Sequence, residues 1–247
     1  LFDSVRGATK WLSSNATNAE GIISSSLTSF DSDGFSLGTD PVGGSEGWNI
    51  NGNEHVSWNF KAGGAAVSAV SIAATGATRS ANPAAGFSII KFQSSASTPT
   101  PPPMNYIEHG LDSTPKMVIY KLLNGSQFWP VQHDGITTNG GLILNTTDAQ
   151  SGPFTYDFFD NTATSIGVRS NYAISSNSPY IAYCFAEVEG FSSFGSYVGN
   201  GTTSNNIVTG FEPAFLMTKR TDVAGYNWYL WDNKRSPTNP RDKVFDA

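Results

Sequence analysis

The feature that most restricts the fold of this chain is that it repeats itself. Val56-Ser57-Trp58-Asn59-Phe60-Lys61-Ala62-Gly63-Gly64 aligns with Ile181-Ala182-Tyr183-Cys184-Phe185-Ala186-Glu187-Val188-Glu189, both alternating in strand period. Upstream of each, Phe30-Asp31 through Leu37-Gly38 matches Phe159-Asp160 through Ile166-Gly167, and Leu12-Ser13-Ser14-Asn15 lies opposite Leu144-Asn145-Thr146-Thr147. A second correspondence sets Gly110-Leu111 and Pro115 through Lys121 against Gly210-Phe211 and Pro213 through Lys219, with Trp129 opposite Trp228. The spacing defines a unit of about 105 residues. The expected organisation is the back half of one unit (1–64), a linker or edge strand (65–81), a complete unit (82–190) and the front half of a further unit (191–247). Half a sandwich exposes an apolar face and open strand edges. The two halves are therefore expected either to complete each other or to be completed by another chain.

Composition sets the fold class. Among 247 residues there are 25 glycines, 13 prolines and 13% aromatics, and the apolar residues come in short runs between turn-forming residues, which describes an all-β chain. In the complete unit strands are expected at 86–92, 116–122, 128–133, 141–145, 154–159, 165–169 and 180–188, which fits a tandem array of β-sandwich, jelly-roll or lectin-like units. Ser97-Thr98-Pro99-Thr100-Pro101-Pro102-Pro103 lacks most of its N–H donors and is expected to form an extended surface loop.

Charge narrows the partners. Charged residues are 14% of the chain and the net charge is −6, with no basic cluster able to line a phosphate backbone, so nucleic acid is not an expected partner. No apolar run reaches the ~20 residues of a membrane span. The start, Leu1-Phe2-Asp3-Ser4-Val5-Arg6, has neither an initiator Met nor a signal-peptide profile and reads as the edge of an excised segment. A single cysteine, Cys184, precludes an intrachain disulfide.

Candidate chemistry is sparse. His55, His109 and His133 have no motif partners and read as structural histidines, and Cys184 alternates within a strand as a small buried thiol. No phosphate loop, dinucleotide fingerprint, nucleophile elbow or zinc-protease motif is present, so no catalytic residue and no cofactor are expected. Asp31-Ser32-Asp33-Gly34 has two carboxylates that could approach a calcium ion, but it also has the composition of a tight turn between strands. Glu187 and Glu189 share a strand face in the manner of a solvated sheet surface. Trp58, Trp129 and Trp228 read as core residues. Trp48, set in a Gly/Ser-rich stretch, is the candidate for stacking on a sugar ring.

Ser29 through Gly38, Val56 through Gly64, Ser80-Ala81-Asn82-Pro83, Ala85 through Ile89 and Tyr180 through Phe191 together resemble the repeated β-rich domain of unknown function found in structural and tail-fibre proteins of tailed, especially marine, bacteriophages. The resemblance implies a virion component on the particle surface, with other virion subunits as partners and a homo-oligomeric assembly. The expected function is that of a non-enzymatic tail fibre or appendage contacting host-cell surface glycans. The alternatives are a purely structural decorating, spacer or filament-forming protein assembled by strand complementation, and a carbohydrate-binding module of a secreted enzyme.

Overall fold

A computed structural model describes residues 1–39, 47–96, 101–136, 139–152, 154, 159–170 and 174–246. In chain order the strands are β1 (Lys10–Trp11), β2 (Gly21–Ile22), β3 (Leu27–Phe30), β4 (Phe35–Leu37), β5 (Val67–Ser68), β6 (Ser71–Ile72), β7 (Thr75–Asn82), β8 (Phe87–Gln93) and β9 (Met104–Glu108). They continue with β10 (Met117–Leu122), β11 (Pro130–His133), β12 (Leu142–Ile143), β13 (Ser165–Arg169), β14 (Pro179–Phe185), β15 (Phe215–Lys219), β16 (Trp228–Asp232) and β17 (Phe245–Asp246). Among the described residues the only helical element is a 3-10 turn at Pro83–Ala85.

The main sheet is antiparallel and runs β12-β11-β10-β14-β8-β7-β5. β14, the most apolar strand, lies at its centre between β10 and β8. Gly86 makes the tight entry to β8 possible: its φ is +63°, and a Cβ there would lie 2.3 Å from the carbonyl oxygen of Ala186. Against one face of the main sheet packs the three-stranded sheet β13-β9-β6. Ile90, Phe92, Val118, Tyr120 and Cys184 meet Ile107, Ile166 and Val168 in a dry core.

Antiparallel sheets commonly leave their second face to water, but this one does not. Phe87, Ile89, Met117, Val131, Ile181 and Tyr183 point away from the first core and are covered by Leu12 from the N-terminal segment and Trp228 from β16. With both faces covered, β14 is buried from Tyr180 to Cys184 and does not show the alternation expected for it from the sequence.

The segments covering that face reproduce parts of the middle of the chain. β15-β16-β17 has the pairing of β10-β11-β12: Lys219 lies opposite Trp228, and Tyr229 and Leu230 lie opposite Asp246 and Phe245, as Pro130 and Val131 lie opposite Ile143 and Leu142. Trp11 opposite Gly21 likewise matches the bridge between Gly141 and Ser151. That register sets Ser13 against Ile143 and not against Asn145 as the sequence alignment has it. Counting backbone hydrogen bonds decides the register where similar Ser/Asn/Thr runs cannot.

Residues 65–81 hold β5, β6 and most of β7. β5 is the edge strand of the main sheet, while β7 pairs along β8 from Thr75 to Asn82. β7 escapes a search for large apolar residues because its buried positions are the small residues Ala77 and Ser80. The 180–188 strand ends at Phe185, after which Val188 and Ser192 bridge and turn the chain. Of the expected strand 154–159, residues 155–158 lie outside the described residues, and Phe159 bridges Val168. Thr98 and Thr100 with Pro99 of the proline-rich loop also lie outside them. Pro102 is buried, with its carbonyl accepting from Arg169 Nη1, and β9 begins two residues later.

Candidate functional site

Two regions bring chemistry-bearing side chains together. The first is the seam between the main sheet and the flanking segments, and it is built twice with the same contacts. Trp129 is fully buried; its indole Nε1 donates to the carbonyls of Ser13 (2.9 Å) and Ala16 (3.1 Å). Trp228 Nε1 donates to the carbonyl of Ile143 (2.9 Å), the residue matching Ser13. Gln127 N donates to Thr17 O and Glu20 N to Leu123 O, both at 2.9 Å; on the other side Gly225 N donates to Thr147 O (2.8 Å) and Gln150 N to Thr221 O (2.9 Å). Each tryptophan hairpin thus docks on the same part of the other copy.

Within the first hairpin, Lys121 is fully buried. Its Nζ donates to Gln127 O (2.6 Å) and Thr17 O (2.8 Å) and lies 5.6 Å from the centre of the Trp129 ring. Burial lowers its pKa from 10.5 to about 8. Lys219 repeats the device, donating to Tyr226 O. A neutral amine retains two N–H donors for the two carbonyls, so losing the proton keeps the contact and removes the cost of a buried charge. Between about pH 8 and 10.5 the unfolded chain binds a proton at Lys121 that the folded chain does not. Stability should therefore rise across that window, by about 1–3 kcal/mol. Urea unfolding of the wild type and of Lys121→Met at several pH values isolates this contribution: the rise should be smaller in the variant by that amount.

Asp3 and Arg6 close the seam from the N-terminal side. Asp3 Oδ1 accepts the N–H groups of Val5 (3.1 Å) and Arg6 (2.9 Å), Oδ2 pairs with Arg6 Nε, and Tyr183 Oη donates to Oδ2 (2.7 Å). Arg6 also donates to Glu20 Oε2 and Leu1 O, both at 3.3 Å. Asp232 and Arg235 form the same hook: Oδ1 accepts from Lys234 N (3.0 Å) and Arg235 N (2.9 Å), Oδ2 from Arg235 Nε (2.6 Å), and Arg235 Nη2 donates to Leu230 O (3.2 Å). The signal, Leu-aromatic-Asp-x-x-Arg at Leu1 to Arg6 and Leu230 to Arg235, stood in the sequence. At the matching place in the middle of the chain, His133 Nδ1 accepts from Gly135 N (2.9 Å) without an arginine.

The second region is an open groove of about 730 Å³ beside the start of β10, lined by Thr114, Lys116, Glu187, Glu189, Ser193 and Phe211 among others. Lys116 Nζ pairs with Asp134 Oδ2 at 2.6 Å, and that hydrogen bond holds its pKa above the ordinary lysine value. Ser193 Oγ donates to Glu187 Oε1 (2.9 Å). Hydroxyls, one cation, exposed carboxylates and a single aromatic in an open cleft can hydrogen-bond a polyhydroxylated ligand and offer it one apolar surface.

The residues singled out in the sequence are dispersed. Asp31 and Asp33 sit in the β3–β4 turn, where both Asp31 oxygens are taken by the hydroxyls of Ser36 (2.7 Å) and Ser29 (2.8 Å). Those bonds hold Asp31 below the usual carboxylate pKa. Among the described residues no three His, Cys, Asp or Glu side chains gather as a metal site. Trp48 is half-buried, edge-on against Phe2 and Trp11 at ring-centre distances of 5.3 and 5.9 Å. Trp58 departs from the core role expected for it: its ring is partly exposed and touches Phe215 and Phe245. Its segment joins no ladder among the described residues.

His109 is fully buried, its Nδ1 accepting from Leu111 N (3.0 Å) and its Nε2 facing Thr162 O (3.3 Å); His55 is exposed. Cys184 lies in the first core, where burial pushes its thiol pKa up. Glu187 and Glu189 are exposed at the groove rim. Among the described residues no helix is long and apolar enough to cross a membrane.

No match was found among curated proteins or among solved structures. The model of one family, Domain of unknown function (DUF7483), matches residues 1–246, and the chain belongs to that family.

Proposed function

We propose that this chain is a non-enzymatic structural protein of a phage virion, part of a tail fibre or surface appendage, that builds serial β-sandwich units of jelly-roll or lectin-like kind and contacts host-cell surface glycans. The observation that carries the reading is the twice-built seam: Trp129 on Ser13 and Trp228 on Ile143, with the flanking backbone bonds repeated. Contacts repeated between successive copies are the way an extended repeat protein propagates. The resemblance of Ser29 through Gly38 and Tyr180 through Phe191 to phage repeats supplies the setting, and the open groove supplies a surface for sugars.

Single-site affinity for such a ligand is weak and is compensated by many copies. A glycan array probed with a multivalent display of the chain should give discrete positives, and Lys116→Ala with Glu187→Ala should reduce that signal about tenfold. Binding unchanged by both substitutions would remove the groove from the reading, and an array without positives would remove the glycans.

A second reading, a purely structural filament-forming or decorating protein, is favoured by a separate observation. Among the described residues the stretches 53–63 and 205–209 take part in no sheet. Open strands of this kind are completed by partners in strand-donating assemblies.

A further inference from the structure

β13 and β9 show a finished pairing. Ile166 and Ile107 lie opposite each other and both are 0% exposed. Their counterparts on either side of the complete copy are unfinished. Leu37 on β4 matches Ile166 and is 39% exposed. Asn105 through Gly110 is matched by Asn205-Asn206-Ile207-Val208-Thr209-Gly210, in which Ile207 is 46% and Val208 84% exposed.

The backbone groups agree with the side chains. His109 N donates to Thr164 O (3.1 Å), which makes Ile107 and Ile166 the pair that exchanges both hydrogen bonds. On β4, Gly38 N donates to Ser26 O (2.7 Å), so Leu37 opposite Leu27 is a non-hydrogen-bonded pair and its own N–H and C=O face the outer edge. Among the described residues the sheet containing β4 has two strands, and no third strand pairs along that edge. Natural proteins blunt open edges with charge or proline. Neither Phe35-Ser36-Leu37-Gly38-Thr39 nor Ser204 through Thr209 contains a charged residue or a proline.

We infer that a second copy of this chain adds its strand 205–209 antiparallel to β4, with Leu37 opposite Ile207 and Ser36 opposite Val208. The inference rests on the structural-assembly reading above and names its partner and register. One chain contains both the donor segment and the acceptor edge, and among the described residues neither is paired although Trp58 and Phe215, from the segments that follow them, touch. Because donor and acceptor are different surfaces, the contact is head-to-tail and extends into a filament or closes into a ring.

The full chain tests this by sedimentation over a concentration series reaching the millimolar range. The wild type should gain mass with concentration. Ile207→Pro, in a segment outside any ladder, should unfold at the wild-type temperature and associate at least about tenfold more weakly, because the donor loses an N–H and its strand geometry. Leu37→Pro should do the same at the acceptor edge. An equimolar mixture of the two variants should restore dimers and nothing larger, since each retains the half that the other lacks.

Where Leu37→Pro melts the β3–β4 hairpin, mixing Leu37→Cys with Ile207→Cys chains replaces it. The mixture should oxidise to a covalent dimer of unlike chains faster than either variant alone. A wild type that is monomeric throughout overturns both this inference and the assembly reading. Oligomers unaffected by either proline overturn the inference alone. An intrachain cross-link in the double variant Leu37→Cys/Ile207→Cys also overturns it, because the strand would then belong to its own β4.

Discussion

Asp3→Ala should lower the unfolding free energy by about 3–5 kcal/mol, the cost of leaving a buried arginine without its partner. The side chains of Asp3 and Arg6 are 2% and 0% exposed, and the carboxylate also accepts two backbone N–H groups and the Tyr183 hydroxyl. Removing it strands four donors at once. Tyr183→Phe removes one of those hydrogen bonds and should cost only about 1 kcal/mol. Urea denaturation followed by tryptophan fluorescence measures both. Equal losses for the two variants would mean that the arginine is held well enough by its bonds to Glu20 Oε2 and Leu1 O, both at 3.3 Å.

Trp129→Ala should be comparably severe, at about 3–5 kcal/mol for an aromatic removed from a packed core. Here the cavity would open under Lys121 as well as under Leu12 and Val131, and the carbonyls of Ser13 and Ala16 would lose their donor. Trp129→Phe keeps most of the apolar volume and loses the indole N–H, so its cost of about 1–2 kcal/mol separates the hydrogen bonds from the packing. Trp228→Phe should cost a similar amount if the two seams are energetically alike as well as geometrically alike. Thermal unfolding of the three variants side by side reads this directly.

Strands whose inward positions are large and apolar could be read from sequence. Phe87 through Phe92, Met117 through Leu122 and Tyr180 through Phe185 alternate or run apolar, and all are strands. β7 was not legible because Ala77 and Ser80 bury without looking hydrophobic. β9 was hidden behind the proline run, its alternation carried by Asn105, whose amide is buried against Ser95 and Val168. The pairing of Lys219 with Trp228 and of Trp11 with Gly21 could not be read from the aligned segments, because register depends on backbone bonds.

The seam was less legible than the fold. Lys121 looks like any lysine in a strand, and its burial follows only once Thr17 and Gln127 have brought their carbonyls to it. Trp129 and Trp228 were recognisable as buried residues, whereas Trp58 was not recognisable as an exposed one. Strand alternation marks the side of a segment that faces inward without establishing that another layer lies there.

The hook at Asp3 and the seam at Trp228 fasten both terminal segments to one face of one sheet, through side chains and isolated backbone bonds. Among the described residues no terminal strand joins the main ladder. Tension applied between the chain ends would therefore load these fastenings in series before it reached the rows of hydrogen bonds flanking β14. The outer segments would peel away first, and the middle of the chain would give last.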